Sequence, residues 1–144
     1  MSVQYSFLAE PHVVLIRYFG RSTQRQQDKL RKVIIRDFGK GQMLDSVSDL
    51  TQLTSTTLTS LDRVARIKDF NSLLANLKHP VKHALVANTP MTIGICRMYM
   101  GYAAGAPKLD MRLFSDLSAA TSWVGLPGDG QAIFDQADWT EIAD

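Results

Sequence analysis

The stretch HALVANTPMTIGICRMYMGYAAGAPKLDMRLF, residues 83–114, decides the fold. It opens with HALVAN, a short and nearly unbroken apolar run of the kind that forms an interior strand covered on both faces. Thr89 then offers an N-cap side chain, Pro90 suits the first helical position, and Gly105 with Pro107 marks the helix exit. KLDMRLF alternates Leu109, Met111 and Leu113 with polar residues, which is the period of a strand. Strand, helix and strand in this order form a parallel crossover unit, whose connection is right-handed.

The same alternation extends outward in both directions. Val3, Tyr5 and Phe7 alternate with polar residues, AEPH supplies a turn, and Val13 to Phe19 is a denser apolar run, so the chain begins with a β-hairpin whose second strand is the more buried. A helix follows from Ser22 or Thr23, since Thr23 and Gln26 have capping-box spacing, and Gly39 and Gly41 end it. Gln27, Leu30, Ile34 and Phe38 share one side of that helix, and Arg25, Lys29, Lys32 and Arg36 share the opposite side. QMLDSVSDLT, with sparse apolar residues, reads as a strand from its place between two helices. The next helix is expected from Thr59 or Ser60, with Thr59 and Asp62 at capping spacing and Val64, Ile67, Phe70, Leu74 and Leu77 at helical spacing, until Pro80 closes it. After KLDMRLF, the segment SDLSAATSWVGLP is a last helix, capped by Ser115 or Asp116 and stopped by Gly125 and Pro127. The order is β-β-α-β-α-β-α-β-α, an α/β domain with a mixed sheet flanked by helices.

A chain of 144 residues with 45% hydrophobic and 21% charged residues fits one soluble globular domain. Nothing in it reads as a membrane span or a signal peptide, and its single cysteine, Cys96, excludes an intrachain disulfide; these features suit a reducing cytoplasm. Net charge is +2, but residues 128–144 hold Asp129, Asp135, Asp138, Glu141 and Asp144 and no base, which leaves +7 on residues 1–127. The expected organisation is therefore a domain over 1–127 and an acidic C-terminal tail over 128–144. That tail is either partly disordered or docked through Ile133, Phe134 and Trp139.

The helix after Pro90 stands out. Met91, Ile93, Ile95, Cys96, Met98, Tyr99, Met100 and Tyr102 leave it almost no polar side, and Arg97 is its one charge. A sheet-packed helix needs only one apolar stripe, so the other side must be covered by the tail or a deep core, by a second copy of the chain, or by an apolar ligand. Met91, Ile95, Met98, Tyr99 and Tyr102 are the candidate interface or ligand residues, because Met and Tyr suit adaptable contact patches.

Two further motifs carry a resemblance. DLTQLT (49–54) and LFSDLSAATSWVGLP (113–127), in this element order, resemble the STAS domain, the fold of the anti-sigma-factor antagonists. More narrowly they resemble the bacterial STAS/SEC14-like group, whose fold is similar to the CRAL-TRIO lipid-transfer domain. The likeness spans about residues 3–127. It implies a non-enzymatic binding or regulatory module with a protein partner or homodimer, and no catalytic residue or cofactor. The lipid-transfer side implies the alternative of a carrier or sensor for a small lipophilic ligand.

The hydroxyl run DLTQLTSTTLTSLDR (49–63) falls where a strand should pass into a helix. Phospho-regulated antagonists place a serine after an aspartate at the start of the second helix. LTSTTLTSLD has no Asp-Ser pair there and no following glycine, which speaks against a kinase-controlled switch. Helix capping with solvated loop hydroxyls is the plainest role. Anion binding by Ser55, Thr56 or Thr57 with free amides is the alternative.

The remaining chemistry-bearing residues are sparse. His79 and His83 have metal-like spacing, but Pro80 intervenes and no carboxylate or Cys completes a set, so no metal site is expected. Cys96 lies about two turns inside its helix, where a small buried apolar role is commoner than a nucleophilic one. The basic ridge of Arg25, Lys29, Lys32 and Arg36 is a solvated face or a contact for an anionic partner, and the acidic tail offers to cover it in cis. No aromatics interleave with these charges, which disfavours nucleic-acid binding by stacking.

Overall fold

The computed structural model describes residues 2–34, 36, 44–56, 80–104 and 108–143. The described strands are β1 (Ser2–Leu8), β2 (Val13–Ser22), β3 (Asp45–Thr56), β4 (Val81–Val86), β5 (Leu109–Phe114) and β6 (Thr140–Ile142). The described helices are α1 (Gln24–Val33), α2 (Pro90–Ala103), α3 (Leu117–Trp123) and α4 (Gly130–Gln136). The expected helix from Thr59 or Ser60, together with Phe38, Gly39, Gly41, Thr57, His79, Gly105 and Pro107, lies outside the described residues.

The strands form one sheet in the order β5-β4-β3-β2-β1-β6. β2 through β5 run parallel, while β1 is antiparallel to both β2 and β6. Side chains alternate between two faces. On one face Val13, Leu15, Val47, Ala84 and Val86 pack against Ala120, Val124, Leu126 and Phe134 of the α3–α4 layer. On the other, Val3, Val14, Ile16 and Ile142 pack against Leu30 and Ile34 of α1. Further along that second face, Leu50, Leu53 and Ala87 pack against Cys96 of α2. Helices therefore cover both faces, and α1 and α2 sit at opposite sides of the same one.

Local chemistry explains the helix starts. Thr23 and Gln26 form the expected capping box of α1, with each side chain accepting from the other's backbone N–H at 3.2 Å. Thr89 and Thr92 do the same for α2, behind Pro90 in its first turn. Asp116 caps α3 by accepting from Ala119 N at 2.8 Å, and Gly125 leaves that helix at φ +91°, a left-handed value that favours glycine.

One expectation is corrected, and one open alternative is decided. The strand expected over QMLDSVSDLT does not end at Thr51: β3 continues to Thr56, with Ser55 opposite Arg21 and Thr56 opposite Ser22. The register shifts twice on the way, so β3 holds extra residues against β2. Thr51 braces the first shift, its N–H and its hydroxyl both donating to Asp49 Oδ1 at 2.9 and 2.7 Å, and Gly20 on β2 takes φ +68° beside the second. Short polar side chains bond locally, and here that bonding stabilises bulges in a long strand.

The open alternative concerns residues 128–143. They dock rather than dangle: α4 places Phe134, 2% exposed, into the α3-side core, and β6 extends the sheet beyond β1. Trp139 rests against Phe134 at 5.4 Å between ring centroids and donates its indole N–H to the Phe134 carbonyl at 2.8 Å. α3 and α4 meet so closely at Gly130 that a Cβ there would lie 2.5 Å from the Leu117 backbone.

Candidate functional site

α2 sorts its side chains by exposure more cleanly than its composition suggests. Thr92, Cys96 and Ala103 are buried and face the sheet. Ile93, Ile95, Met98, Tyr99 and Met100 are half-buried on the flanks, with Ile93 and Ile95 packed against the Leu50–Leu53–Cys96 cluster. The outer face consists of Pro90, Met91, Gly94, Arg97, Gly101 and Ala104, all exposed. Met91, at 39%, is the exposed large apolar side chain among the described residues. A Cβ built on Gly94 or Gly101 would meet no atom within 4 Å, so this face is open and low in relief. The apolar ring is thus largely turned inward, and small residues form most of the outer surface.

Of the candidate residues on this helix, Met91, Ile95 and Met98 follow one another at helical spacing along one flank. Tyr99 sits nearer the sheet, where it and Cys96 adjoin the buried phenol of Tyr18. Burial raises the Tyr18 pKa, and its hydroxyl donates to Gln27 Oε1 at 3.4 Å. Tyr102 is in the helix, but its side chain lies outside the described residues.

Arg25, Lys29 and Lys32 lie on α1, and Arg36 lies beyond its end. Arg25, Lys32 and Arg36 are exposed, and a shallow depression runs between Thr23, Gln24, Arg25, Asp28, Lys29 and Lys32. Among the described acids of the C-terminal segment, Glu141 and Asp135 lie away from these bases. Lys29 Nζ donates to the Ala143 carbonyl at 3.0 Å, a backbone contact. Glu141 pairs with Gln4, on the sheet face away from α1, and Asp135 acts on Arg17 of that same face. Of the possible anion-binding residues, Ser55 is an exposed strand residue, the Thr56 backbone is in the ladder, and Thr57 lies outside the described residues.

No activated nucleophile is found at Cys96. The residue is 1% exposed, and burial pushes its thiol up to about 12, so it is protonated near neutral pH. His83, on β4, is drawn down to about 4, chiefly by desolvation and against the pull of Asp45 and a hydrogen bond to the Leu44 backbone. Its Nε2 is buried with no hydrogen-bond partner, which favours the neutral ring.

No protein-family model matches the chain, and no curated protein does. Solved structures do match. A DUF3478-family protein from Shewanella loihica PV-4, described as having a SpoIIAA-like fold, aligns with a TM-score of 0.58 at 12% identity over 85% of this chain and 92% of its own. The anti-sigma factor antagonist SpoIIAA, in its unphosphorylated form, aligns with a TM-score of 0.56 at 15% identity over 87% of this chain and 100% of its own. The fold is STAS-like.

Within this STAS-like sheet, tertiary structure assembles two groups that periodicity did not single out. The first is Arg17, whose Nε donates to Gln4 Oε1 at 2.7 Å and whose guanidinium lies 4.0 Å from the Trp139 ring centroid and 5.2 Å from that of Phe19. Desolvation lowers its proton affinity, and Asp49 and Asp135 oppose that shift. No sequence signal joins residue 17 to residue 139, because the link is the pairing of β1 with both β2 and β6.

The second group lies on β5. Asp110 Oδ1 and Arg112 Nε are 3.4 Å apart on one face of the strand, with side chains 43% and 58% exposed. Arg112 and Lys82 both approach the Trp123 ring, at 5.0 and 5.3 Å, and Trp123 also meets Phe114 at 5.7 Å. The signal here was legible: opposite charges two residues apart in a strand share a face. What the sequence concealed was that β5 is an end strand of the sheet.

Proposed function

We propose that this protein is a non-enzymatic regulatory module that works in the cytoplasm by recognising protein partners at the corner formed by α2 and β5. The observation carrying the reading is the outer face of α2, where exposed Met91 and Arg97 stand among Pro90, Gly94, Gly101 and Ala104. Such a face lets a partner's backbone or side chains approach closely, while Met91 and Arg97 supply an adaptable apolar and a charged contact. The likeness in fold to a protein described as an anti-sigma factor antagonist supports the same reading.

The test compares tagged wild-type protein with the variant Met91→Ser/Gly94→Glu in the source cells. The expected result is one defined protein retained by the wild type and lost by the variant, with unchanged circular dichroism. No retained protein, or equal retention by both, overturns the α2 reading. Native mass spectrometry of the freshly purified chain adds a second check, since a small mass increment would replace this reading with that of a lipophilic-ligand carrier. Thiol labelling probes the non-enzymatic part: Cys96 is expected to react slowly near neutral pH, and fast reaction would contradict the buried thiol.

A further inference from the structure

The outer edge of β5 has a pattern that matches itself. β5 is the last strand of the sheet, and its only strand partner among the described residues is β4. None of its six residues is buried, whereas Val81, Ala84 and Val86 of β4 are. Val81 N donates to the Lys108 carbonyl at 2.8 Å and Ala87 N donates to the Phe114 carbonyl at 3.1 Å. Residues of the same parity, Asp110 and Arg112, therefore also turn their backbone groups toward β4. Leu109, Met111 and Leu113 turn their N–H and C=O groups the other way, out of the sheet.

We infer that this edge pairs with the β5 edge of a second copy of the chain, antiparallel and centred on Met111. The inference deepens the recognition reading above by naming this chain's own copy as one partner at the α2–β5 corner. Backbone geometry restricts the choice of register. Outward-facing residues must oppose outward-facing residues, so a two-fold axis has to pass through a residue rather than between two. With the axis at Met111, Leu109 opposes Leu113 of the other copy and Met111 opposes Met111. These are the hydrogen-bonded positions, and they give roughly six new backbone hydrogen bonds.

The side chains then select this register over its neighbours. Asp110 falls opposite Arg112 of the second copy, twice by symmetry, at non-hydrogen-bonded positions where facing side chains approach most closely. Moving the axis to Asp110 would oppose Asp to Asp and Arg112 to Lys108, and moving it to Arg112 would oppose Arg to Arg. Like charges directly opposite are destabilising, so one register is attractive and both neighbouring ones are repulsive. The Asp110 and Arg112 side chains already lie side by side and exposed, so exchanging an intrastrand contact for two contacts across the axis requires little desolvation. On the other face Leu109, Met111 and Leu113 would meet their counterparts and extend the apolar layer beneath α2.

The test is a charge-swap cycle read by sedimentation velocity from micromolar to millimolar concentration. Wild type is expected to dimerise. Asp110→Arg alone and Arg112→Asp alone each place like charges opposite one another, and each is expected to weaken self-association by roughly tenfold or more. An equimolar mixture of the two single variants restores opposite pairs and is expected to form the mixed dimer, and the double variant Asp110→Arg/Arg112→Asp to dimerise again. Met111→Pro removes an outward N–H that β4 does not use and is expected to give a folded monomer. A monomeric wild type at all concentrations, single variants that dimerise as wild type does, or a mixture that fails to pair would each overturn the inference. Partner capture by Met91→Ser/Gly94→Glu is independent of this cycle, so failure of the edge and failure of the α2 face are distinguishable.

Discussion

The two edges of the sheet solve the same problem in different ways. At one end β6 is three residues long, pairs only with Val3, Gln4 and Tyr5 of β1, and buries Ile142 beneath α1. Lys29 ties off the chain just beyond it. A strand this short offers little ladder for another chain to extend. At the other end β5 runs for six residues with no proline and no register shift against β4, and all six are at least partly exposed. Its protection against indiscriminate pairing lies in Asp110 and Arg112, charges that reject most registers and favour one. A three-residue edge leaves little to pair with, and a six-residue edge with patterned charge is available for selective contact.

The largest expected effect lies on the β6 side. Phe134→Ala should cost about 3–5 kcal/mol in denaturant unfolding, because the ring fills the core under α3 and α4 and supports Trp139. A loss below about 1 kcal/mol would mean that residues 128–143 are a dispensable tail after all, and the contrast between the two edges would fail.

Next comes a pH effect on the β5 side, where His83 pairs with Met111. Its folded pKa, about 4, lies below the unfolded value of 6.5, so the unfolded chain binds the proton more readily between them. The contribution is fully present above pH 6.5 and is lost as pH falls toward 4. The residue as a whole is half-buried, which limits the swing to roughly 2 kcal/mol. Stability measured against pH in wild type and His83→Gln should differ in slope across that window, and parallel curves would show that the ring is solvated.

A smaller effect probes the helix beside β5. Thr89→Ala removes the side-chain acceptor for Thr92 N and should lower stability by about 1 kcal/mol, visible as a reduced denaturation midpoint with an unchanged slope. The smallest effect returns to β6. Lys29→Ala releases an exposed contact to the Ala143 carbonyl and should change stability by no more than about 0.5 kcal/mol. A larger loss would show that this tie, rather than Ile142 burial, holds the short edge in place.

Much of the frame was legible because local chemistry and burial agreed. The Thr23–Gln26 box, the Thr89–Pro90 start and the alternation of KLDMRLF each satisfy the backbone within a few residues, and tertiary packing did not overrule them. The end of β3 was expected too early, at Thr51, because Ser and Thr serve loops and strands alike. What keeps Ser55 and Thr56 in β3 is the ladder offered by Arg21 and Ser22, more than thirty residues earlier in the chain. The apolar composition of α2 was legible, but its orientation was not. Helical spacing gives relative positions around the axis, and only contact with Leu50, Leu53 and Ala87 decides that Cys96 faces in and Gly94 and Arg97 face out.

By itself the sequence determined an α/β order resembling the STAS fold, the caps of α1 and α2, and the strand period of β5. Those features follow from periods of a few residues and from side chains that bond to their own neighbours. Only the tertiary structure decided that residues 128–143 belong to the core, that Arg17 lies under Trp139, and that β5 rather than a longer-paired strand ends the sheet. Each of those depends on which distant strand supplies hydrogen bonds and apolar cover, a choice made by the energy of the whole sheet and written in no single stretch of it.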